Sequence, residues 1–333
     1  MKCYIDTLSV YRQFSGMISV NNSKGWKFFK KPNNNDDSHF FINYGGVTVR
    51  YYPCRYGVGQ LWVTFSIGKL LRGSNLFPLD MLDIDKVLYE EVSNILMDIL
   101  NLSPADADIA KWEVSRADFF ILHPIEPGQR QWYLTAYKRL SLGAYVPYEY
   151  QNTFYLNSTL KRHKAAGTVV RIYDKPQEIF DTSNLPSAVE KDFEVYMVLC
   201  DKLCDFIRIE FQFRRRVLRY FFNHASSVTL ADVMNEDFQR GRINRMIERL
   251  GLHRPIISRQ HMRDEIEKIF IKQPTRQRAA QYIAMVNGRG VYPKTIRRHF
   301  TEGEARYIRK RLHDHNLHTV VSEFEDLEPV KLL

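Results

Sequence analysis

The chain has 333 residues, of which 44% are hydrophobic, and it carries a formal net charge of +10 with a pI of about 9.3. This length predicts about two domains of ~150 residues each, and the composition is typical of a folded chain. The positive charge favours a polyanionic partner, nucleic acid first and an anionic membrane surface second. No apolar run approaches the ~18 residues of a membrane span. Because nucleic acid is the favoured partner of the two, we expect no membrane partner.

The N-terminal stretch and the cysteines both indicate a cytoplasmic protein. "MKCYIDTLSVYRQF" has no uninterrupted apolar segment of the kind that a secretory signal requires. Cys3, Cys54, Cys200 and Cys204 form no Cys-x-x-Cys pair, and no histidine cluster has the spacing of zinc ligands. We therefore expect reduced thiols.

The first half of the chain predicts a series of strands and then a mixture of helices and strands. Five strand-like segments read "CYIDTLSV", "GWKFF", "HFFINY", "GVTVRYYP" and "QLWVTFSI", with a turn-forming loop over residues 31–39 between the second and the third. Apolar residues recur at helical spacing from Asp83, a candidate N-cap, to Leu100. "KWEVSRADFFIL" then predicts a strand, and "GQRQWYLTAYKRLSLG" predicts a helix.

The next segments complete an α+β pattern. "NTFYLNST" and "GTVVRIYD" predict two strands of a hairpin, and "AVEKDFEVYMVLCDKLC" predicts a helix. "DFIRIEFQFRRRVLR" begins as a strand and passes into a helix near Arg216. We predict an antiparallel-rich sheet with packed helices over residues 1–222 and a mainly helical domain over residues 223–333.

The helical segment is strongly basic. Between Lys272 and Arg311 there are eleven Lys or Arg residues and two Glu residues. A solvated helix face explains part of this charge, but a basic helical domain on a basic protein favours a nucleic-acid surface. "VYPKTIRRHFTEGEARYIRKRLHDHNL" has the length of a helix–turn–helix pair that binds DNA. The candidate contacts to DNA here are Lys294, Arg297, Arg298, Arg309, Lys310 and Arg311.

Three strands carry the same unusual set of polar residues. Side chains two positions apart share one face of a strand, so Arg171, Tyr173 and Lys175 should point the same way. The same alternation places Arg116 beside Asp118 and Arg208 beside Glu210. If these strands are neighbours, the two acids and the tyrosine converge. The alternative is a solvated sheet face on which each arginine pairs with a nearby acid.

Such a cluster suits the transfer of a phosphoryl group. Hard carboxylate oxygens bind Mg²⁺ or Mn²⁺, and a metal held in this way can polarise a scissile phosphate. A tyrosine hydroxyl can attack phosphorus and form a covalent intermediate. We expect Arg171 and Lys175 to lower the pKa of Tyr173 from its usual value of about 10, or to hold phosphate oxygens.

Five motifs in order resemble the gene II and gene X replication initiators of filamentous phages and related plasmids. They are "YIDTLSV", "LWVTFSIGKLLRGSNLFPLD", "VSRADFFIL", "VVRIYDKPQE" and "FIRIEFQFRRRVLR", and the match spans residues 3 to about 220. The last three also look like motifs of plasmid rolling-circle initiators that share a strand Tyr-x-Lys pattern. The resemblance implies an enzyme that nicks one strand at a replication origin, stays joined to the 5′ phosphate and later rejoins the DNA.

The resemblance also assigns residues and partners. Tyr173 matches the nucleophile, Lys175 matches the lysine that follows it, and Glu178 matches a frequent acid of unassigned role. Asp118 and Glu210 match the acidic positions, which we interpret as ligands of Mg²⁺ or Mn²⁺. The implied partners are single- and double-stranded origin DNA of a phage or plasmid and a helicase or polymerase of the bacterial host. Further candidates for DNA contact on or beside these strands are Arg116, Arg208, Arg214 and Arg215.

Some alternatives remain open at this point. The metal motif His-hydrophobe-His of other nicking initiators is absent, so His123 and His163 are not assigned as ligands. The tyrosines of "YVPYEYQNTFYL" could rival Tyr173, stack on unpaired bases or simply pack; they are Tyr145, Tyr148, Tyr150 and Tyr155. The protein could also be a non-catalytic origin-binding regulator, or a nuclease that uses water on the same metal.

Overall fold

The computed structural model describes residues 2–16, 18–30, 38–55, 57–72, 84–140, 145–150, 153–158, 167–181, 197, 201, 205–288 and 293–333. Over these residues the protein is α+β, with one ten-stranded antiparallel sheet and packed helices, followed by a helical C-terminal region. The predicted fold class is confirmed.

The sheet contains strands from the whole first two thirds of the chain. Its strand order is β2-β3-β4-β5-β1-β6-β10-β9-β8-β7. The strands are β1 (Tyr4–Ser15), β2 (Lys27–Phe29), β3 (His39–Tyr44), β4 (Val47–Arg55), β5 (Val58–Ser66), β6 (Glu113–Pro124), β7 (Tyr145–Tyr150), β8 (Thr153–Ser158), β9 (Thr168–Tyr173) and β10 (Phe206–Arg214).

The two faces of the sheet differ in chemistry. Directly paired residues of antiparallel strands point to the same face, so the registers identify which side chains lie together. Phe211 of β10 pairs with Phe119 of β6 and Val170 of β9, and all three are buried. The neighbouring positions, Glu210 and Gln212, point the other way. We call the first side the core face and the second the polar face.

The described helices follow or separate the strands. They are α1 (Ile67–Arg72), α2 (Ile84–Leu100), α3 (Pro104–Ala107), α4 (Arg130–Tyr137), α5 (Lys175–Asp181), α6 (Arg215–Phe221), α7 (Leu230–Met234), α8 (Glu236–Leu250), α9 (Arg259–Ile269), α10 (Gln273–Val286), α11 (Pro293–His299) and α12 (Glu302–Asp314), with two short 3₁₀ turns at Asn22–Lys24 and Ile109–Lys111.

Helix α2 shows how the sequence pattern builds the first core. Leu88, Val92, Ile95, Leu96 and Ile99 recur at helical spacing, are buried, and belong to the same hydrophobic cluster as the core face of the sheet. Burying such a side chain contributes about 1.5–3 kcal/mol relative to leaving it exposed. The helix predicted to end at Leu100 is confirmed, whereas its predicted N-cap, Asp83, lies outside the described residues.

The hydrophobic cores divide the chain at a different place from the predicted boundary at residue 222. Leu230 of α7 and Ile247 of α8 belong to the first cluster, together with Val320 and Leu327 near the C-terminus. A second cluster collects buried residues from Ile257 to Val321 and takes in α9, α10 and α12. A cut at residue 222 would therefore remove side chains from the core that supports the sheet.

Several local predictions have a definite outcome. The strand that passes into a helix is observed as β10 and α6, with the change at Arg214 and Arg215. The predicted hairpin is observed as the antiparallel pair β8 and β9. The edge strand β7 was not predicted; it tolerates Pro147 because an edge strand can leave one side of its backbone unpaired. The helix predicted over residues 188–204 lies almost entirely outside the described residues.

Within the part of the chain that the structure describes, no helix is both long and apolar enough to cross a bilayer.

Candidate functional site

Strands β6, β10 and β9 lie side by side and place the predicted site residues on the polar face. Glu210 of β10 pairs with Arg171 of β9, and Gln212 pairs with Asp118 of β6. Tyr173 of β9 pairs with Arg208 of β10. These registers bring the acids and the tyrosine of three separate sequence segments into one cluster.

Glu210 is the centre of this cluster. The Tyr173 hydroxyl donates a hydrogen bond of 2.8 Å to Glu210 Oε2. The Arg171 guanidinium donates to the other carboxylate oxygen of Glu210. Glu210 is 1% exposed, so both of its oxygens are held by protein groups in a nearly dry environment.

Asp118 is held in a similar way one strand further along the sheet. Arg116 donates to both oxygens of Asp118 through Nε and Nη2, the first at 2.8 Å. Gln212 donates to Asp118 Oδ2 from 3.2 Å. Arg171 Nη1 also lies 3.8 Å from Asp118 Oδ2, so one guanidinium contacts both carboxylates.

Asp6 is a member of the cluster that the sequence analysis did not single out. Arg208 Nη2 lies 3.2 Å from Asp6 Oδ1 and 3.5 Å from Glu210 Oε2. The Arg208 guanidinium also stacks on Phe120, 3.6 Å from the ring centroid. The available signal was the single charged residue in the strand "YIDTLSV", because a buried carboxylate requires a partner.

Lys175 reaches the site from a helix rather than from the strand. Strand β9 ends at Tyr173, and Lys175 is the first residue of α5, so the prediction that it shares the strand face is wrong. Its ammonium group nevertheless lies 5.8 Å from the centroid of the Tyr173 ring. The same group pairs with Glu178 Oε2 at 2.8 Å, which gives Glu178 a contact in the site.

The pKa of Tyr173 moves in the direction opposite to our prediction. Burial raises the pKa of the hydroxyl well above 10, and this outweighs the Arg208 guanidinium, which lowers it. Glu210 adds to the increase, because a second negative charge beside a carboxylate is unfavourable. The pKa of Tyr173 therefore lies above its usual value in this structure, and the other predicted role of Arg171 and Lys175, to hold phosphate oxygens, stays a prediction.

The charge of Glu210 also acts on Asp118. Burial raises the pKa of Asp118 to about 6, Arg116 opposes this increase, and the negative charge of Glu210 adds to it. Such a pair of close, buried acids gains from an additional cation.

The donor atoms of Asp118 and Glu210 fit a hard divalent cation. Both are carboxylates, the ligand type that Mg²⁺ and Mn²⁺ prefer. In this structure the Arg171 guanidinium supplies the positive charge between them. Among the described residues, no group of three or more His, Cys, Asp or Glu side chains is close enough to hold a metal. A metal bound by these two acids would take over the charge that Arg171 now provides.

His123 does not face this cluster. It pairs with Ile207 on the core face of the sheet and packs against Tyr133, with ring centroids 5.2 Å apart. Burial lowers its pKa to about 4, so the ring is neutral at pH 7. His163 lies outside the described residues.

Three of the rival tyrosines, Tyr148, Tyr150 and Tyr155, lie beyond β9 on the same polar face. Tyr155 of β8 pairs with Arg171, and Tyr148 of β7 pairs with Tyr155. Tyr150 is 62% exposed. None of these three donates to Asp118 or Glu210 among the hydrogen bonds of the described side chains, and the side chain of Tyr145 lies outside the described set.

The arginines on and beside the central strands occupy different surroundings. Arg208 is 1% exposed and serves the buried cluster, so it does not offer a surface contact. Arg215 pairs with Glu113, and Arg214 is half-buried beside Arg116. Burial lowers the pKa of Arg214, and the like charge of Arg116 adds to this effect.

Of the candidate DNA contacts in the helical region, some are exposed at the surface and one instead holds two helices together. Arg297 and Arg298 are exposed on α11, and Arg309 and Lys310 are exposed on α12. Arg311 instead donates to the backbone oxygen of Ile269 at 3.1 Å and so ties α12 to α9. The side chain of Lys294 lies outside the described set. The two helices and their short turn have the predicted helix–turn–helix length, with Thr301 and Glu304 forming a capping box at the start of α12.

Comparisons of this chain with protein-family models, with curated proteins and with solved structures gave no match.

Proposed function

We propose that this protein initiates rolling-circle DNA replication by nicking one strand at an origin and rejoining it at termination. The observation that carries the proposal is the hydrogen bond from the Tyr173 hydroxyl to Glu210, within a cluster where Arg171 contacts both Glu210 and Asp118. A nucleophile, a proton acceptor and a cation for phosphate oxygens thus meet on one sheet face.

The chemistry follows from these positions. Glu210 accepts the Tyr173 proton while the phenolic oxygen attacks phosphorus, and the bond from phosphorus to the 3′ oxygen breaks. The 3′ oxygen leaves as a hydroxyl after it takes up a proton, and the 5′ phosphate remains on Tyr173. Rejoining is the reverse transfer, in which a 3′ hydroxyl displaces the tyrosine. Overall, one phosphodiester is exchanged for another, so no external energy source is required.

The neighbouring cations have defined roles in this scheme. Arg171 binds the phosphate oxygens as negative charge develops, and Arg116 fixes the orientation of Asp118 through two hydrogen bonds. Mg²⁺ or Mn²⁺, held by Asp118 and Glu210, would supply Lewis-acid stabilisation of the scissile phosphate. Tyr173 is 4% exposed, so the substrate gains access only after neighbouring groups move.

The helical region provides a second binding surface, and its ligand is duplex DNA. Exposed cations on α11 and α12 present positive charge to a phosphate backbone, which dominates the affinity for DNA. The partners in this proposal are therefore single- and double-stranded origin DNA, with replication enzymes of a bacterial host acting on the nicked product in the cytoplasm.

A non-catalytic origin-binding protein is the second candidate. The buried, strongly hydrogen-bonded Tyr173 favours it, because a hydroxyl with a raised pKa is a poor nucleophile. A nuclease that uses water is a third candidate. The three candidates differ in what they do to DNA: the first forms a covalent adduct, the regulator leaves the DNA intact, and the nuclease cleaves it without an adduct.

One trapping experiment separates the three. The full chain is incubated with a random-sequence pool of single strands and Mn²⁺, denatured, and the DNA that remains attached to protein is sequenced. We expect an adduct on one strand sequence in the wild type and none in Tyr173→Phe. Cleavage without an adduct would support the water nuclease, and binding without cleavage would support the regulator.

A further inference from the structure

Two stacked tyrosines lie between the carboxylate cluster and the edge of the sheet. Reading across the strands, Glu210 pairs with Arg171, Arg171 with Tyr155, and Tyr155 with Tyr148. All four side chains therefore project from the polar face in one row. The rings of Tyr148 and Tyr155 are parallel within 6°, with centroids 4.6 Å apart.

The outer ring of this stack is accessible. Tyr148 lies on β7, the last strand of the described sheet, and is 41% exposed. Tyr150 lies two residues further along the same strand, shares its face and is 62% exposed. Aromatic rings are costly to leave in water, so two such neighbours on one face require an explanation beyond packing of the core.

The inner end of the row carries positive charge. Arg171 lies next to Tyr155 on the adjacent strand; burial raises the pKa of Tyr155, and the charge of Arg171 opposes this increase. Rings that stack on bases, beside a cation that binds the backbone, are the combination found in sites for unpaired nucleic acid.

We infer that the stack of Tyr148 and Tyr155, extended by Tyr150, is the subsite that binds unpaired bases of the substrate strand next to the nick. The inference rests on the proposed function, and it requires that the substrate DNA is single-stranded where it contacts these tyrosines. Bases within a duplex are stacked on each other, so a tyrosine ring can stack only on a base that has been released.

The strand spacing also gives the distance between the tyrosine stack and the carboxylate cluster. Adjacent strands are about 4.8 Å apart, so the backbone under Tyr148 lies roughly 10 Å from that under Arg171. The stacked bases are therefore within a few nucleotides of the scissile phosphate, and the strand crosses β8 and β7 on its way to the sheet edge.

The test uses the full chain and an oligothymidylate that carries a single 2-aminopurine, whose fluorescence falls when the base stacks. Binding is measured without divalent metal, so that no cleavage interferes. We expect quenching by the wild-type protein with the single strand, and none with a fully paired duplex of the same sequence. Tyr148→Ala should remove the quenching and weaken binding about tenfold, since stacking on one ring contributes that much.

Two variants control for folding and for exposed tyrosines in general. Tyr148→Phe keeps the ring and should bind as the wild type does. Tyr44→Ala removes a tyrosine that is 36% exposed and pairs with Val47, a core-face residue, so its ring leaves the opposite side of the sheet. It should leave both quenching and affinity unchanged.

The outcomes separate the subsite from the nicking reaction. Unchanged quenching and affinity in Tyr148→Ala would overturn the subsite, even if the wild type nicks DNA. Quenching that depends on Tyr148, in a protein that forms no adduct, would support the subsite and reject the nicking reaction. Equal quenching with the duplex would overturn the preference for a single strand.

Discussion

The central strands and the C-terminal helices are both rich in arginine, yet they use it in opposite ways. On the polar face, Arg208 is 1% exposed, and Arg171 contacts two carboxylates. On α11 and α12, Arg297 and Lys310 are exposed to solvent. The first group neutralises buried acids, whereas the second presents its charge outward.

The difference teaches where a positive charge has a large effect. Charges interact strongly where water is excluded, so removal of a buried partner leaves a costly uncompensated ion. Exposed charges are screened by salt within about 10 Å and act mainly through their sum. A high count of arginine in the sequence therefore has two distinct meanings in this protein.

The largest expected effect comes from one oxygen atom in the central cluster. Tyr173→Phe keeps the ring but removes the hydroxyl that donates to Glu210. We expect nicking to fall on the order of 10⁴-fold or more, as it does when a covalent nucleophile is removed. The free energy of unfolding should fall by about 1.5–3 kcal/mol, the usual contribution of one hydrogen bond to a charged group.

Peptide mapping of the protein–DNA adduct checks this assignment directly. Tyr148→Phe and Tyr155→Phe should still form the adduct, since neither hydroxyl donates to a central carboxylate. An adduct on Tyr145, Tyr148, Tyr150 or Tyr155 would show that Tyr173 is not the nucleophile.

A matched pair of arginine substitutions tests the comparison itself. Arg171→Gln should destabilise the protein by about 3 kcal/mol, because two buried acids lose their shared cation. Arg297→Gln, at an exposed position, should change stability by less than about 0.5 kcal/mol. Urea unfolding at pH 7 measures both. Equal losses of stability in the two variants would mean that the buried arginine stabilises the protein no more than the exposed one.

The metal proposal predicts that cleavage requires a divalent cation, and that loss of one of its two ligands has a smaller effect than loss of Tyr173. Chelation should stop cleavage of single-stranded DNA, and Mg²⁺ or Mn²⁺ should restore it. Asp118→Asn removes one charged ligand and should reduce the rate on the order of 10²–10³-fold. Excess Mn²⁺ should recover part of this loss. Full cleavage in chelator would remove the role of the metal.

A buried histidine between the two cores predicts an acid-sensitive stability. His318 Nδ1 accepts a hydrogen bond from the Val320 backbone, and Nε2 lies 3.0 Å from the Leu250 carbonyl oxygen. Only a neutral ring fits both contacts. Burial accordingly lowers the pKa of His318 from 6.5 to about 4. Between these values the unfolded chain binds a proton that the folded chain does not, so stability falls as the pH drops from 6.5 towards 4.

The expected loss from His318 is about 3 kcal/mol over this interval. His318→Gln should reduce the pH dependence by a comparable amount. His315→Gln, at an exposed position three residues earlier, should leave it unchanged. Unfolding curves at pH 7 and pH 5 make the comparison, and about 2 kcal/mol of the loss is expected at pH 5. An unaltered slope in His318→Gln would assign the acid sensitivity to other groups, of which the buried His123 is the first to examine.

The smallest expected effect belongs to the exposed cations. Lys310→Gln should weaken binding to duplex DNA and reduce the salt dependence of log K by about 0.9, one phosphate contact. Lys111→Gln provides the control, because its side chain is 71% exposed but lies far from α12 in the chain. A salt dependence that is the same in both variants would exclude this face of α12 from the duplex contact.

Local sequence patterns were sufficient for most of the elements. Alternation in "FIRIEFQF" placed Arg208 and Glu210 on one face of β10, and the apolar spacing before Leu100 identified α2. Strand β7 was not predicted because Pro147 interrupts it, and a proline argues against a strand. The boundary at residue 222 followed a change of composition, whereas the core follows the packing of α7 and α8 on the sheet.

The sequence by itself determined which faces of β6, β9 and β10 carry charge, because a period of two residues is a property of any strand. Only the tertiary structure decided that these strands are neighbours, that Asp6 joins them from β1, and that Lys175 arrives on a helix. It also decided the protonation of Tyr173, since burial rather than sequence neighbours sets that pKa. Which strands pair and how deeply a side chain is buried depend on contacts between segments that are distant in the sequence. No local sequence pattern contains this information.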